Sequence, residues 1–150
     1  MNAFGLQSPQ AWSEWWRLWT CHLVHWDWSH LLLNLVAILP PMALVSGRIR
    51  WRLLGWALVA APFLSLAILA SGFQGEYRGA SGLVVGIWVL AGLTLVRESA
   101  KGPGLLLLSV IAGKLLLEAL GAWPPASADY VTNDVVHYAG ALMGALAAVS

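Results

Sequence analysis

The sequence predicts an all-α fold, a polytopic membrane helix bundle with about five transmembrane helices. Three observations carry this. Hydrophobic residues make up 59% of the 150-residue chain and charged residues 10%, where a soluble domain carries about 45–50% and about 25%; the mean hydropathy is +0.73. Apolar runs close to the roughly 20 residues needed to cross a bilayer recur along the chain. Basic residues gather in alternate connections between those runs. No composition shift divides the chain, so it reads as a single transmembrane domain over residues 1-150.

The first nineteen residues have neither a basic start nor a long apolar core, unlike a signal peptide, and read as an interfacial segment. The spans follow as Trp28–Val45, Trp51–Ser71, Ser81–Val96, Gly104–Ala122 and Val131–Ser150. Pro40 and Pro41 predict that the first is bent or unwound at its far end. Of the ten tryptophans, Trp12, Trp15, Trp16, Trp19, Trp26, Trp28, Trp51 and Trp123 flank apolar runs, as interfacial anchors do. The connection after the first span holds Arg48, Arg50 and Arg52, and that after the third holds Arg97 and Lys101 against Glu98. The positive-inside rule makes both cytoplasmic, so the N-terminal segment, "GEYRGASG" and "SADYVTND" face outside. A net charge of +1 without a basic tract points away from nucleic acid, and the single Cys21 excludes an internal disulfide.

Parity then aligns chemistry. Spans one, three and five run inward from the same face, and their outer ends carry His30 and Asn34, Ser81, and His137. Polar side chains inside a membrane are costly and face a partner or a wet cavity. Taken alone, Ser81 in "RGASG" is a hinge, a packing seam or a nucleophile. Ser81-Gly82-Gly86 and His137-Gly140-Gly144 form small-xxx-small seams that let two helices approach closely. Such an approach brings the Ser81 hydroxyl to the His137 imidazole, the minimum for nucleophilic acyl transfer. The expected Oγ-to-nitrogen distance is roughly 2.6–3.5 Å. His30 and Asn34, four apart, share a helix face and can donate toward one point.

Blander readings stand beside these. A lone serine at a span end is usually a cap or packing residue, and a membrane histidine is more often structural than a base. His22, His25, His30 and His137 invite a metal reading, yet no two histidines stand at i and i+4 and the one nearby carboxylate is Asp27; no metal is expected. Lys114 and Glu118, four apart inside the fourth span, can neutralise each other and are not read as catalytic.

The motifs resemble those of a known family. "WRLWTCHLVHWDWSHLLLNL" (Trp16 to Leu35), "GASG" (Gly79 to Gly82) and "HYAGALMG" (His137 to Gly144) are similar, in order and placement, to the signatures of the rhomboid intramembrane serine proteases. The resemblance implies Ser81 as nucleophile and His137 as general base, a dyad without an aspartate. It implies an oxyanion hole from His30, Asn34 and the Ser81 backbone N–H. It places Trp16-Arg17 in an outer loop that His25 helps fix, and makes Asp134 a loop support turned toward the outer surface. "YRGASG", the short core and the Lys114/Glu118 pair suggest the rhombosortase branch, whose members process bacterial surface proteins with a C-terminal, glycine-containing membrane anchor. The chain departs from the family at Val85, where a tyrosine often stacks on the histidine; Tyr138 or backbone packing is expected to hold the base instead. It also begins almost inside the Trp-Arg loop, giving a rhomboid-like core lacking the usual first helix.

The function expected is hydrolysis of a peptide bond in or near a substrate's transmembrane segment, through an acyl-enzyme on Ser81. The expected partners are a membrane-protein substrate with a transmembrane anchor and the lipid bilayer, with no cofactor and no nucleic acid. The expected location is a bacterial inner membrane, the active site opening to the periplasmic face. The alternative is a catalytically inactive rhomboid-like protein that binds membrane-protein clients.

Overall fold

Five apolar helices follow two short ones in the computed structural model, which describes residues 3–122 and 134–149. The short helices are α1 (Ser8–Ala11) and α2 (Arg17–Thr20). The apolar set is α3 (Trp28–Leu44), α4 (Gly47–Ala70), α5 (Ser81–Arg97), α6 (Lys101–Ala119) and α7 (Asp134–Val149). By length and hydropathy α4 and α6 are each sufficient to cross a membrane. The other three have 17, 17 and 16 residues, or about 25 Å at 1.5 Å per residue. The expected fifth span begins, and "SADYVTND" and Trp123 fall, largely outside the described residues.

The relative directions of the helices follow from which residues meet. Gly82 lies against Gly140 and Gly86 against Gly144, a constant offset, so α5 and α7 run parallel. His30 lies against Gly79, and Ala37 against Trp88 seven and nine residues further along, so α3 runs the same way. At the α5–α7 seam the backbones touch. A methyl group on Gly140 would collide with the Gly82 carbonyl, and one on Gly144 with the Gly86 carbonyl. α5 is the most enclosed element, with Val84, Val85, Ile87, Val89, Leu90, Ala91 and Leu95 all buried. α3, α4 and α6 instead expose leucines and valines outward, as lipid-facing helices do.

α4 and α3 each depart from the sequence expectation for a physical reason. α4 starts at Gly47, so Arg48, Arg50 and Arg52 lie on its first turns. Arg50 there donates to the Met42 carbonyl at 2.7 Å, satisfying an end group of α3. α3 also runs unbroken through Pro40 and Pro41 to Leu44. The reason lies on α5. Pro41 has no N–H for the Ala37 carbonyl one turn back, and the Trp88 indole N–H donates to that oxygen at 2.7 Å. The same solution recurs on α4, where Pro62 strands the Leu58 carbonyl and Trp19 Nε1 donates to it at 3.0 Å. An orphaned carbonyl costs several kcal/mol in hydrocarbon, so a neighbour's donor keeps a proline-bearing helix intact. Two tryptophans thus act as backbone donors as well as apolar mass.

The N-terminal segment goes deeper than an interfacial strip. Leu6, Ala11 and Cys21 are buried in one cluster with Leu64 and Ile68 of α4, Tyr77 and Val136. Trp12 and Trp15 remain exposed, at 73% and 65%, and keep the interfacial character expected of them.

A double-mutant cycle tests the proline–tryptophan pairing. Trp88→Phe is expected to destabilise the protein by about 1–3 kcal/mol, the cost of a buried unsatisfied carbonyl plus lost contact area. In a Pro41→Ala background, where the helix supplies its own N–H, the same change should cost at least about 1 kcal/mol less, read from denaturation midpoints in micelles.

Candidate active site

Ser81 opens α5 from a turn that only glycine can form at its centre. Gly79 has φ of +133°, and a Cβ there would stand 2.7 Å from Cε1 of the His30 ring. Three backbone bonds tie this turn to the N-terminal segment. Leu6 and Tyr77 exchange N–H···O bonds at 3.0 and 2.9 Å, and the Gly79 N–H donates to the Cys21 carbonyl at 2.9 Å. Inside the turn, the Tyr77 hydroxyl donates to the Gly79 carbonyl at 2.8 Å, and also faces the Ser81 side chain and the Gly82 amide. Burial pushes the Tyr77 phenol well above its ordinary range, so it stays a donor. Sequence reasoning missed this role of Tyr77; no spacing rule connects a loop tyrosine to its own turn.

Ser81 Oγ stands 2.8 Å from His137 Nε2, inside the interval expected from chemistry. His137 is buried and Ser81 half-buried. The contact follows from the seam: Val136 and Gly140 of α7 bracket Gly82, which leaves His137 level with Ser81. At its first turn α5 also offers N–H groups without helical partners, suited to a developing oxyanion.

The other side of the imidazole departs from expectation. Tyr138 does not hold it; that ring is 42% exposed, and its hydroxyl reaches toward the Leu115 carbonyl. Val85 is buried against Val89 and Ile111, with Ala141 beside them, and fills the seam below. What meets Nδ1 is Glu118 of α6, with Oε1 at 3.0 Å and Oε2 at 3.2 Å. Lys114 pairs with the same carboxylate, as its spacing suggested, and its Nζ lies 3.3 Å from Nδ1. The Lys114/Glu118 pair is therefore not self-contained. Asp134 is exposed but sits closer to His137 than a loop support turned outward would. One carboxylate oxygen each from Glu118 and Asp134 and a His137 nitrogen lie within 4.8 Å of one another. Positions three apart on a helix are neighbours, which places Asp134 on the His137 face. An ammonium already stands beside this donor group.

On α3, Asp27 caps the helix, accepting from the Ser29 hydroxyl at 2.6 Å and the His30 N–H at 2.7 Å. Those bonds, the Ser29 hydroxyl first, hold its carboxyl below the usual range. His30 lies over Gly79, two residues before Ser81, and within electrostatic reach of His137. Asn34 is buried and donates one amide hydrogen to the His30 carbonyl at 3.1 Å. His25 meets His30 edge-on, with ring centroids 4.9 Å apart, so it braces that ring.

The loop is fixed by His22. It is buried, with Nε2 3.0 Å from both the Ala61 carbonyl and Ser65 Oγ, and Nδ1 3.3 Å from the Gly79 carbonyl. Ser65 donates its own proton to the Leu18 carbonyl at 2.8 Å, so it accepts from Nε2–H. Arg17 adds a bond to the Gly5 carbonyl at 2.6 Å and pairs with Glu14. Among the described residues there are thus two Ser–His contacts of similar length. Ser65 is wholly enclosed and its proton is committed to a carbonyl, which makes that pair a clamp. Cys21 beside it is inert, because burial pushes its thiol up to about 12.

Burial also holds the His22 imidazole below its ordinary value, and the same cause lowers His25. The folded chain then keeps these rings neutral while the unfolded chain takes up protons from about pH 6.5 downward. Stability is full above that pH and falls as the medium is acidified below it. Melting temperatures measured between pH 8 and pH 5 should decline on the acid side. His22→Gln should melt lower at pH 8 and show a shallower decline, with the remaining slope due partly to His25.

The rhomboid domain family model matches residues 12–150 of the chain. No curated protein matches it. With the five apolar helices, the parallel α3, α5 and α7, and a Ser–His contact at one end of them, that match is decisive: the chain is an integral membrane protein that belongs to the rhomboid family.

Proposed function

We propose that this chain is an active intramembrane serine protease, hydrolysing a peptide bond in or near a transmembrane segment of a membrane-protein substrate. The observation that carries the proposal is the 2.8 Å contact between Ser81 Oγ and His137 Nε2. As Oγ attacks the scissile carbonyl, its proton passes to Nε2, and the tetrahedral oxyanion forms. His137 then gives that proton to the departing amine, leaving an acyl-enzyme on Ser81. Water repeats the sequence and releases the acid. The Ser81 N–H at the start of α5, together with the side chains of His30 and Asn34, supplies donors for the oxyanion.

The distribution of arginines supports an orientation with Ser81 toward the outer, periplasmic face of a bacterial inner membrane. A substrate helix has to unwind locally to present its carbonyl there, which small residues such as glycine make cheaper. That preference, with "YRGASG" and the Lys114/Glu118 pair, supports a rhombosortase-type substrate, a surface protein with a glycine-containing C-terminal anchor.

The test is covalent labelling by a fluorophosphonate probe in micelles. Wild type should label, and both Ser81→Ala and His137→Ala should not. Asn34→Ala should label and cleave about 10²-fold more slowly, the usual cost of one oxyanion donor. A folded wild-type protein that neither labels nor cleaves any anchored substrate would leave the client-binding alternative.

A further inference from the structure

Glu118 puts a carboxylate behind the base, on a helix that contributes neither member of the Ser81–His137 pair. Its side chain is only 5% exposed. A carboxylate so enclosed must have its lone pairs satisfied by the protein. The Lys114 ammonium takes part of that duty and His137 Nδ1 another part, at 3.0 Å.

Resting on the protease reading above, we propose that Glu118 is a positioning residue for His137, completing a Ser81–His137–Glu118 relay in which Lys114 balances the carboxylate's charge. The argument is one of tautomers. Nε2 must be bare to accept the Ser81 proton, so Nδ1 must carry the hydrogen. A carboxylate facing Nδ1 selects that tautomer, because it can only accept. An ammonium facing the same nitrogen selects the opposite one, because it can only donate. Both groups are present. Glu118 is nearer, at 3.0 Å against 3.3 Å for Lys114, and Lys114 is itself bonded to Glu118. The carboxylate therefore sets the tautomer and draws the competing ammonium onto itself. When Nε2 takes the serine proton, the imidazolium forms against a negative partner, while Nδ1–H stays on the ring.

Among the described residues, the charged and titratable groups around His137 are Glu118 and Lys114 from α6, Asp134 from its own helix and His30 from α3. Asp134 is exposed to solvent and three residues away, so it is the weaker candidate for the role.

The experiment combines nitrogen NMR of histidine-labelled protein, with His137 assigned by its loss in His137→Ala, and the second-order rate of fluorophosphonate labelling. Wild type should show the hydrogen on Nδ1. Glu118→Gln can turn its amide N–H toward Nδ1 beside Lys114. It should move the hydrogen to Nε2 and slow labelling by about 10²-fold or more. Asp134→Asn should leave both readouts as in wild type. Should Glu118→Gln fail to melt cooperatively, the charge-free double variant Lys114→Met/Glu118→Met carries the test. It should melt as a folded protein, lose the Nδ1–H preference and label equally slowly. Unchanged tautomer and rate in these variants, or the loss appearing in Asp134→Asn instead, overturns the assignment. If wild type itself does not label, the protease reading fails, and the tautomer shift in Glu118→Gln still decides whether Glu118 sets the state of His137.

Discussion

Everything at the Ser81 end of this bundle depends on one close approach, the backbone seam between α5 and α7. Gly82 and Gly86 on one helix and Gly140 and Gly144 on the other leave no room for a methyl group. Hydrocarbon gives helices no hydrophobic reason to associate, so packing and interhelical polar contacts must supply it. Here the packing comes first and the chemistry rides on it. Because the helices run parallel with a constant offset, fixing Gly82 against Gly140 also fixes Ser81 against His137. A larger residue anywhere along the seam would separate the pair by pushing the helices apart, without touching either side chain.

The same constraint, that no polar atom may be left alone away from water, explains features that otherwise look unrelated. Pro41 and Pro62 strand carbonyls, and tryptophans from neighbouring segments reach them. His22 Nε2 gathers a carbonyl and a serine of α4. Arg97 bonds the Ala148 carbonyl in the last turn of α7. Each contact joins two elements, so satisfying a backbone group and fixing the tertiary arrangement are one event. The turn bearing Ser81 benefits most. It is held by Leu6, Cys21 and Tyr77.

Much of this was legible in the sequence, for identifiable reasons. Apolar run length marked the five long helices, and alternation of direction put His30, Asn34, Ser81 and His137 at one end. Glycine spacing marked the seam. What escaped were relations between elements that no periodicity encodes. The prolines predicted a broken α3, because the donor that repairs the helix sits on α5, more than forty residues away. His25 looked like the loop's fixture, because the family motif highlights it, while His22 read only as a candidate ligand. Lys114 and Glu118 read as a closed pair, because i,i+4 spacing is visible within one helix and the approach of His137 from another is not.

A clamp and, on the protease reading, a reactive pair are built here from the same two side chains. His22 and Ser65 meet at 3.0 Å, His137 and Ser81 at 2.8 Å. Distance therefore does not distinguish them. In the first pair the serine proton is already given to the Leu18 carbonyl, and the imidazole N–H is shared with the Ala61 carbonyl. In the second the serine stands at a helix start, where unpaired N–H groups can receive negative charge, and the far nitrogen faces a carboxylate that can answer a positive one. Reactivity lies in what surrounds the pair, in groups whose charge complements a state the pair has not yet reached.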